Sequence, residues 1–219
     1  MTPRAKRINQ LKNVILDKAE EVFARNGYKA TTMQDIADAL QMTRTPLNYH
    51  FKNKKVLYEA VVRRWLTRRR ADYEQMYAQS DCFSDLVWRH LLHCRDEEMG
   101  TLRLLDGLTE SGFQELNREV ETEDAYLRSL KEHFTRRAID SGELRPDLDV
   151  DALVNFLYVQ YYGLLRVAID LPPEHIHRQI DCVADMLLSA DIWGPASGHP
   201  KQGRFEHEGL VQSPMAVSL

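Results

Sequence analysis

Apolar positions along this chain recur at three- or four-residue steps almost throughout, and no stretch alternates with the period of two that marks a strand. Ile8, Leu11, Ile15, Ala19 and Val22, joined by Phe23, make one stripe, while Lys12, Lys18, Glu21 and Arg25 face water. Gly27 ends that helix, since glycine takes the left-handed conformation after a helix without a Cβ penalty. Thr32 can cap a short second helix, with Asp35 beside the unpaired amides of its first turn. Thr43 can cap a third, and Pro46 falls in the first turn, where its missing N–H costs no helical bond. Two helices of about eight residues joined by a tight turn predict a helix-turn-helix. Asn53 can cap a long fourth helix from Lys54 to about Tyr77, with Leu57, Val61 and Trp65 on its inner face.

The same periodicity predicts further helices over about 84–98, 101–113, 118–140, 149–169 and 173–192. Ser141-Gly142 and Arg145-Pro146-Asp147 make a stop and a turn, and Leu171-Pro172-Pro173 separates the last two helices. The 149–169 helix is apolar nearly all round, so it is covered on both sides, by its own core or by a partner subunit. From Gly194 onward, glycine, proline, serine and scattered charges replace the periodicity, which predicts a mobile tail. The expected architecture is all-α with about nine helices: a three-helix helix-turn-helix head over 1–53, a helical body over 54–193 and a flexible tail over 194–219.

Charge sharpens this division. The 219 residues carry 29 Lys+Arg against 33 Asp+Glu, a net charge of −4 that alone argues weakly against binding a polyanion. The average hides a gradient, because residues 1–70 hold 16 basic and 6 acidic side chains and residues 71–219 hold 13 and 27. A basic head on an acidic body is the signature of a polyanion-binding module joined to something that does not bind polyanions. Cys82, Cys94 and Cys182 form no CxxC and leave an odd count, which argues against a disulfide framework or a structural zinc site. The N-terminus has no apolar signal region and no stretch reaches 18 uninterrupted apolar residues, so the expected location is the cytoplasm, away from any membrane.

The run Gly27-Tyr28-Lys-Ala-Thr31-Thr32-Met33-Gln-Asp35-Ile36-Ala37, followed by Thr43-Arg-Thr-Pro-Leu47-Asn48-Tyr49-His50-Phe51-Lys-Asn53-Lys54, resembles the DNA-binding domain of the tetracycline-repressor (TetR/AcrR) family over about residues 8–62. Gly142-Glu143-Leu144-Arg145-Pro146-Asp147-Leu148-Asp149 also looks like the turn before that family's last two helices. The resemblance implies a homodimeric transcriptional regulator. Its last two helices would pair with their copies, and its body would take an unknown small-molecule effector. A repressor released from a palindromic double-stranded DNA operator is the expected function, with no catalytic residues and no cofactor. Two positions depart from the family pattern. Gln41 stands where the turn usually has glycine, so a non-glycine residue is expected at positive φ. Asn48 replaces an aromatic, and Asn can bond the N6/N7 edge of adenine, as Tyr cannot.

Family position puts Arg44, Thr45, Pro46 and Asn48 at the bases, and Thr32, Thr43, Tyr49, His50 and Lys54 at phosphates, which fix register without reading sequence. Arg4, Lys6 and Arg7 are expected to add contacts from a flexible arm. For the effector, bulky side chains on the middle helices are the candidates: Tyr73, Met76, Trp88, Leu92, Met99, Phe113, Tyr126, Leu130, Tyr158 and Tyr162. His90, His93 and Cys94 share one helix face at metal-ligand spacing, so a metal- or redox-responsive regulator of the same fold is the alternative, although a buried thiol beside half-exposed histidines is the plainer reading. Arg68-Arg69-Arg70 reads as a solvated face. An all-helical enzyme is the rival class, against which stands the lack of a phosphate loop, GxSxG, HExxH or credible triad.

Overall fold

The computed structural model describes residues 3–96, 101–168 and 172–196. Met99 and the chain from 197 onward, both named in the expectations above, lie outside the described residues. Among those described there are nine α-helices and no strand. Helix α1 (Pro3–Ala30) buries Ile15, Leu16, Ala19, Val22 and Phe23 and breaks its helical geometry at Gly27, whose φ is 77°. The segment expected as a flexible arm is the first turn and more of this helix.

Helix α2 (Met33–Ala39) opens with a reciprocal cap. Thr32 Oγ1 accepts from the Asp35 amide at 3.1 Å, and the Asp35 carboxylate accepts from the Thr32 amide at 2.7 Å. The turn after α2 is a Schellman closure: the Gln41 amide donates to the Asp38 carbonyl and the Met42 amide to the Ala37 carbonyl, at 2.9 and 3.0 Å. That geometry requires a left-handed residue, and Gln41 supplies it at φ 52°, as the glycine's absence from the sequence led us to expect. Helix α3 (Arg44–His50) follows, and Asn53 caps α4 (Lys54–Gln79) by accepting from the Val56 amide at 2.9 Å.

The remaining helices are α5 (Phe83–Asp96), α6 (Thr101–Leu105), which tightens into a 3-10 turn over Asp106–Thr109, α7 (Gln114–Asp140), α8 (Val150–Ala168) and α9 (Pro173–Ser189). The helix expected over 101–113 is thus only one turn of α-helix. The interruption has a cause: Gly107 lies against the rings of Tyr28 and Tyr58 where any side chain would collide, and the Asp106 carboxylate turns away to the end of α1. Helix α7 also begins four residues before the expected position.

Two large apolar cores result among the described residues, with a small third one of Cys94, Tyr161 and Leu165. One joins α1, α2, α3 and the first half of α4 to Leu104, Phe113, Leu116 and Val120. The other joins the end of α4 to α5, the second half of α7, α8 and α9. The 142–145 turn ties this second core together. Buried Glu143 accepts from the Phe83 and Ser84 amides at the start of α5, at 2.7 and 3.1 Å, where a carboxylate satisfies otherwise orphaned donors. The Gly194 and Ala196 amides donate to the carbonyls of Glu143 and Gly142, so the expected tail is pinned through at least Ala196. Gly194 is required here, because a Cβ would run into the Gly142 carbonyl. No helix among the described residues is long and apolar enough to cross a membrane.

Candidate functional site: a DNA-facing helix and a body cavity

In the head, α3 buries Leu47 completely and presents its other side to solvent. Arg44, Thr45, Pro46 and Asn48 are all exposed, and Tyr49 is 79% exposed with its ring edge-on to His50, which is half-buried. Among the described residues none of Arg44, Thr45 or Asn48 has a side-chain hydrogen-bond partner, so the polar atoms of that face are available to an outside surface. Thr43 flanks the helix start in extended conformation, without a side-chain cap bond. Thr32 is exposed but already engaged in the cap of α2.

Lys54 is placed differently from its expected position at a phosphate. Its ammonium donates to the Tyr28 and Thr31 carbonyls, each at 2.8 Å, and lies 4.2 Å from the Tyr28 ring centroid. A cation at the end of a helix satisfies carbonyls left without amide partners, so Lys54 closes α1 onto α4.

The arginine run is likewise not one solvated face. Arg68 pairs with Glu20 of α1, Arg70 with Glu123 of α7, and Arg69 is buried with its guanidinium 2.6 Å from Asp124. Successive helical positions point about 100° apart, so three adjacent arginines reach three different neighbours. Arg63 adds a bidentate pair to Glu119, and α4 is thereby held to α7 along much of its length.

Arg69 also marks a polar belt between the two apolar cores. Its guanidinium lies 5.0 Å from the Trp65 ring centroid and within about 6 Å of the Tyr73 and Tyr161 rings. The buried Lys131 ammonium sits 4.6 Å from Tyr158, 5.4 Å from Tyr161 and 5.8 Å from Tyr73. Tyr162 donates to Asp124 at 3.2 Å, and its phenol is held well above the usual tyrosine range by burial and by that carboxylate. His90 packs against Tyr73 and Tyr161 with its Nε2 buried and without a hydrogen-bond partner. Burial first, then the proximity of Lys131, His93 and Arg69, pushes the His90 imidazolium far below its ordinary range.

Beside this belt lies a cavity of about 30 Å³, room for a water molecule but far short of the roughly 300–1,000 Å³ of a filled ligand pocket. Its lining includes the polar side chains of His90, Lys131, Gln160 and Tyr161 and the apolar ones of Phe83, Leu86 and Leu187. None of the nine described side chains expected to hold the effector lines it. Six of them stand one residue away from a lining residue: Met76 beside Tyr77, Trp88 beside Val87, Leu92 beside Leu91, Leu130 beside Lys131, Tyr158 beside Leu157 and Tyr162 beside Tyr161. One residue is about 100° around a helix, enough to turn from the cavity to the neighbouring face. Met76 and Leu92 instead face a shallow outer groove, Tyr126 donates to Glu74 at the surface, and Tyr73 backs the cavity through His90. Phe113 belongs to the head-side core, packed on Tyr28 and Tyr58. His90, His93 and Cys94 are spread over ring packing and buried contacts, and among the described residues no three His, Cys, Asp or Glu side chains are placed to share a metal ion.

The body meets the head mainly through α6 and the 3-10 turn. Tyr58 donates to the Leu104 carbonyl at 2.7 Å, Arg103 to the Arg25 carbonyl at 2.9 Å, and the Tyr28 amide to Asp106 at 2.8 Å.

A short, solvent-facing helix on a sealed head, joined to a helical body with its own cavity, is a helix-turn-helix arrangement carried on a second helical unit. Residues 15–61, the head and the first part of α4, match the family model described as bacterial regulatory proteins, tetR family. The HTH-type transcriptional repressor KstR2 of Mycolicibacterium smegmatis is 29% identical over 157 residues, spanning 65% of this chain and 72% of that one. A TetR regulator from Chloroflexus aurantiacus shares the fold at a TM-score of 0.71 and 18% identity, covering 86% of this chain and 99% of that one. The transcriptional regulator FadR of Bacillus subtilis, solved in complex with stearoyl-CoA, matches at a TM-score of 0.60 and 17% identity, covering 79% and 95%.

Proposed function

We propose that the chain is a homodimeric repressor that sets α3 in the major groove of a palindromic operator and lets go when a largely apolar small molecule enters the body cavity. The observation that carries the reading is the face of α3, where Arg44, Thr45 and Asn48 stand exposed above fully buried Leu47. Arg suits guanine O6/N7, Asn suits adenine N6/N7 and Thr suits a thymine methyl, so the exposed set can read a short half-site. The family's repressors and the ligand-bound relative support the remaining parts.

The release mechanism follows from continuity. Opening the cavity displaces α5 and α7 around Lys131 and His90, and the Arg63, Arg69 and Arg70 pairs pass that displacement to α4. Helix α4 enters the head core through Leu57, Tyr58 and Val61, so its tilt changes the spacing of the two recognition helices in the dimer. A spacing that no longer matches the half-site repeat lowers affinity.

Selecting bound duplexes from a random pool with the full-length chain tests this. An inverted-repeat consensus is the expected result; binding without a consensus, set by salt alone, would overturn it.

A further inference from the structure

His90 lines the cavity from α5, packed on the rings of Tyr73 and Tyr161, and its Nε2 is buried without a hydrogen-bond partner among the described residues. Leaving an imidazole nitrogen in that state is costly, and buried polar groups are hydrogen-bonded with few exceptions. The other polar groups nearby are provided for. The Lys131 ammonium lies on the faces of Tyr73, Tyr158 and Tyr161, and the Thr135 hydroxyl donates to the Lys131 carbonyl at 2.8 Å. Arg69 has its carboxylate in Asp124 at 2.6 Å, and Gln160 and Tyr77 are only half-buried. The remaining lining is almost all aliphatic or aromatic, and among the described residues it contains no carboxylate.

We infer that the effector is an uncharged, largely hydrocarbon molecule whose hydroxyl group hydrogen-bonds His90 Nε2. This assignment rests on the reading of the cavity as the effector site. A hydroxyl is singled out because it both donates and accepts, and so satisfies the ring nitrogen in either neutral tautomer. Burial and the neighbouring Lys131, His93 and Arg69 disfavour the imidazolium, so the ring offers a hydrogen bond rather than a charge. Charged heads fit less well. An ammonium would be brought beside Lys131 and Arg69, and a carboxylate would give up its water for cations that already have partners. As the cavity widens from its 30 Å³, the apolar side chains of α4, α5, α8 and α9 receive the hydrocarbon part.

The experiment uses the full chain and four ten-carbon probes: decanol, decyl chloride, decanoate and decylamine. Calorimetric affinity and release from a selected duplex are read for each, and the nitrogen NMR signal of the His90 ring is followed alongside. Decanol is expected to bind about tenfold more tightly than decyl chloride, which has nearly its shape but no hydroxyl, and to shift the Nε2 signal. His90→Phe, which keeps a ring and removes the unpaired nitrogen, should fold at least as stably as the parent and bind the two probes alike. His90→Gln, whose amide both donates and accepts, should keep the preference for the alcohol. Equal affinity for decanol and decyl chloride in the parent, an unmoved Nε2 signal, or a preference that survives in His90→Phe overturns the hydroxyl assignment but leaves an apolar effector site standing. Tighter binding of decanoate or decylamine than of decanol overturns the uncharged head. Failure of all four probes to bind overturns the cavity as the effector site, and the assignment to His90 falls with it.

Discussion

The Asp106 carboxylate accepts a hydrogen bond from the Tyr28 amide at 2.8 Å, directly against Gly27, whose φ of 77° breaks α1 at that point. A residue of the body thereby completes a helix of the head. Beside the kink, the Tyr28 amide donates to a charged acceptor brought by the body. No side chain at position 27 can coexist with this contact, since a Cβ would occupy the carboxylate's place.

Asp106→Ala is therefore expected to cost about 1–3 kcal/mol of stability, the range for a lost hydrogen bond to a charged group. Urea unfolding measures the loss, and amide exchange at Tyr28 locates it. Gly27→Ala should be at least as damaging, because strain at positive φ adds to the collision. Unchanged exchange at Tyr28 in Asp106→Ala would mean that the contact does not hold the two parts together.

The proposed function separates base reading from scaffolding in the head. Asn48→Ala should cost on the order of 1–3 kcal/mol of operator affinity and relax discrimination at one base pair per half-site, with stability unchanged because the side chain is exposed. Lys54→Met should do the reverse. Its ammonium holds two carbonyls at the end of α1, so unfolding should become easier by about 1–3 kcal/mol while the salt dependence of binding stays the same. A salt slope shallower by about one unit in Lys54→Met would return that lysine to the phosphates.

These two residues mark what a sequence can and cannot carry. Helix type and order were legible because apolar spacing and caps are local properties: Thr32 with Asp35, Asn53, and even the left-handed Gln41 are set within a few residues. Partners remote along the chain were not. Arg69 looks like any surface arginine until α7 brings Asp124 beside it, and Lys131 reads as part of a polar helix face until three tyrosines from α4 and α8 close over it. Bulky residues were the natural guess for the cavity, yet the register of each helix decides by 100° steps which side chain faces in. Asp106 was illegible for the same reason, since its role depends on a residue 78 positions away.

His90 gives the fold a pH dependence with a definite sign. The ring faces Arg69 and Tyr73 from α4, His93 on its own helix, Lys131 from α7 and Tyr161 from α8. Burial first and those positive charges next hold its folded pKa well below 6.5, whereas the unfolded chain titrates near 6.5. Below about pH 6.5 the unfolded state therefore binds a proton that the folded state refuses, and stability falls as pH drops, by up to about 1.4 kcal/mol per unit. Unfolding at pH 7.5 and 5.5 measures this, and His90→Gln should remove that share of the decline. An identical decline in His90→Gln would assign it to other groups.

Glu143 makes a purely structural counterpart. Its buried carboxylate accepts from two amides at the start of α5, which no neutral side chain of the same shape does as well. Glu143→Gln should keep the shape but weaken both bonds, at a cost of about 1–2 kcal/mol, and Glu143→Ala should cost more because it leaves the Phe83 amide buried and unpaired. Thermal unfolding ranks the three proteins; equal midpoints for all three would show that the charge and both bonds contribute nothing.

The last two helices leave an apolar strip uncovered. Phe156 is 40% exposed, Val159 67% and Met186 60%, and Gly163 sits one turn beyond Val159 with no atom within 4 Å of where a Cβ would be. Within one copy of the chain, then, Gly163→Leu meets nothing and even favours the helix by about 1 kcal/mol. Against a second copy packed on the same strip, the same leucine would force the helices apart. Sedimentation should show Gly163→Leu and Val159→Glu as monomers at concentrations where the parent chain is a dimer, with the first variant keeping its unfolding behaviour as a monomer. On the proposed reading of a palindromic operator by two heads at once, both variants should also lose operator affinity far more than Asn48→Ala does. Dimers that survive both changes would place the interface on another face of the body.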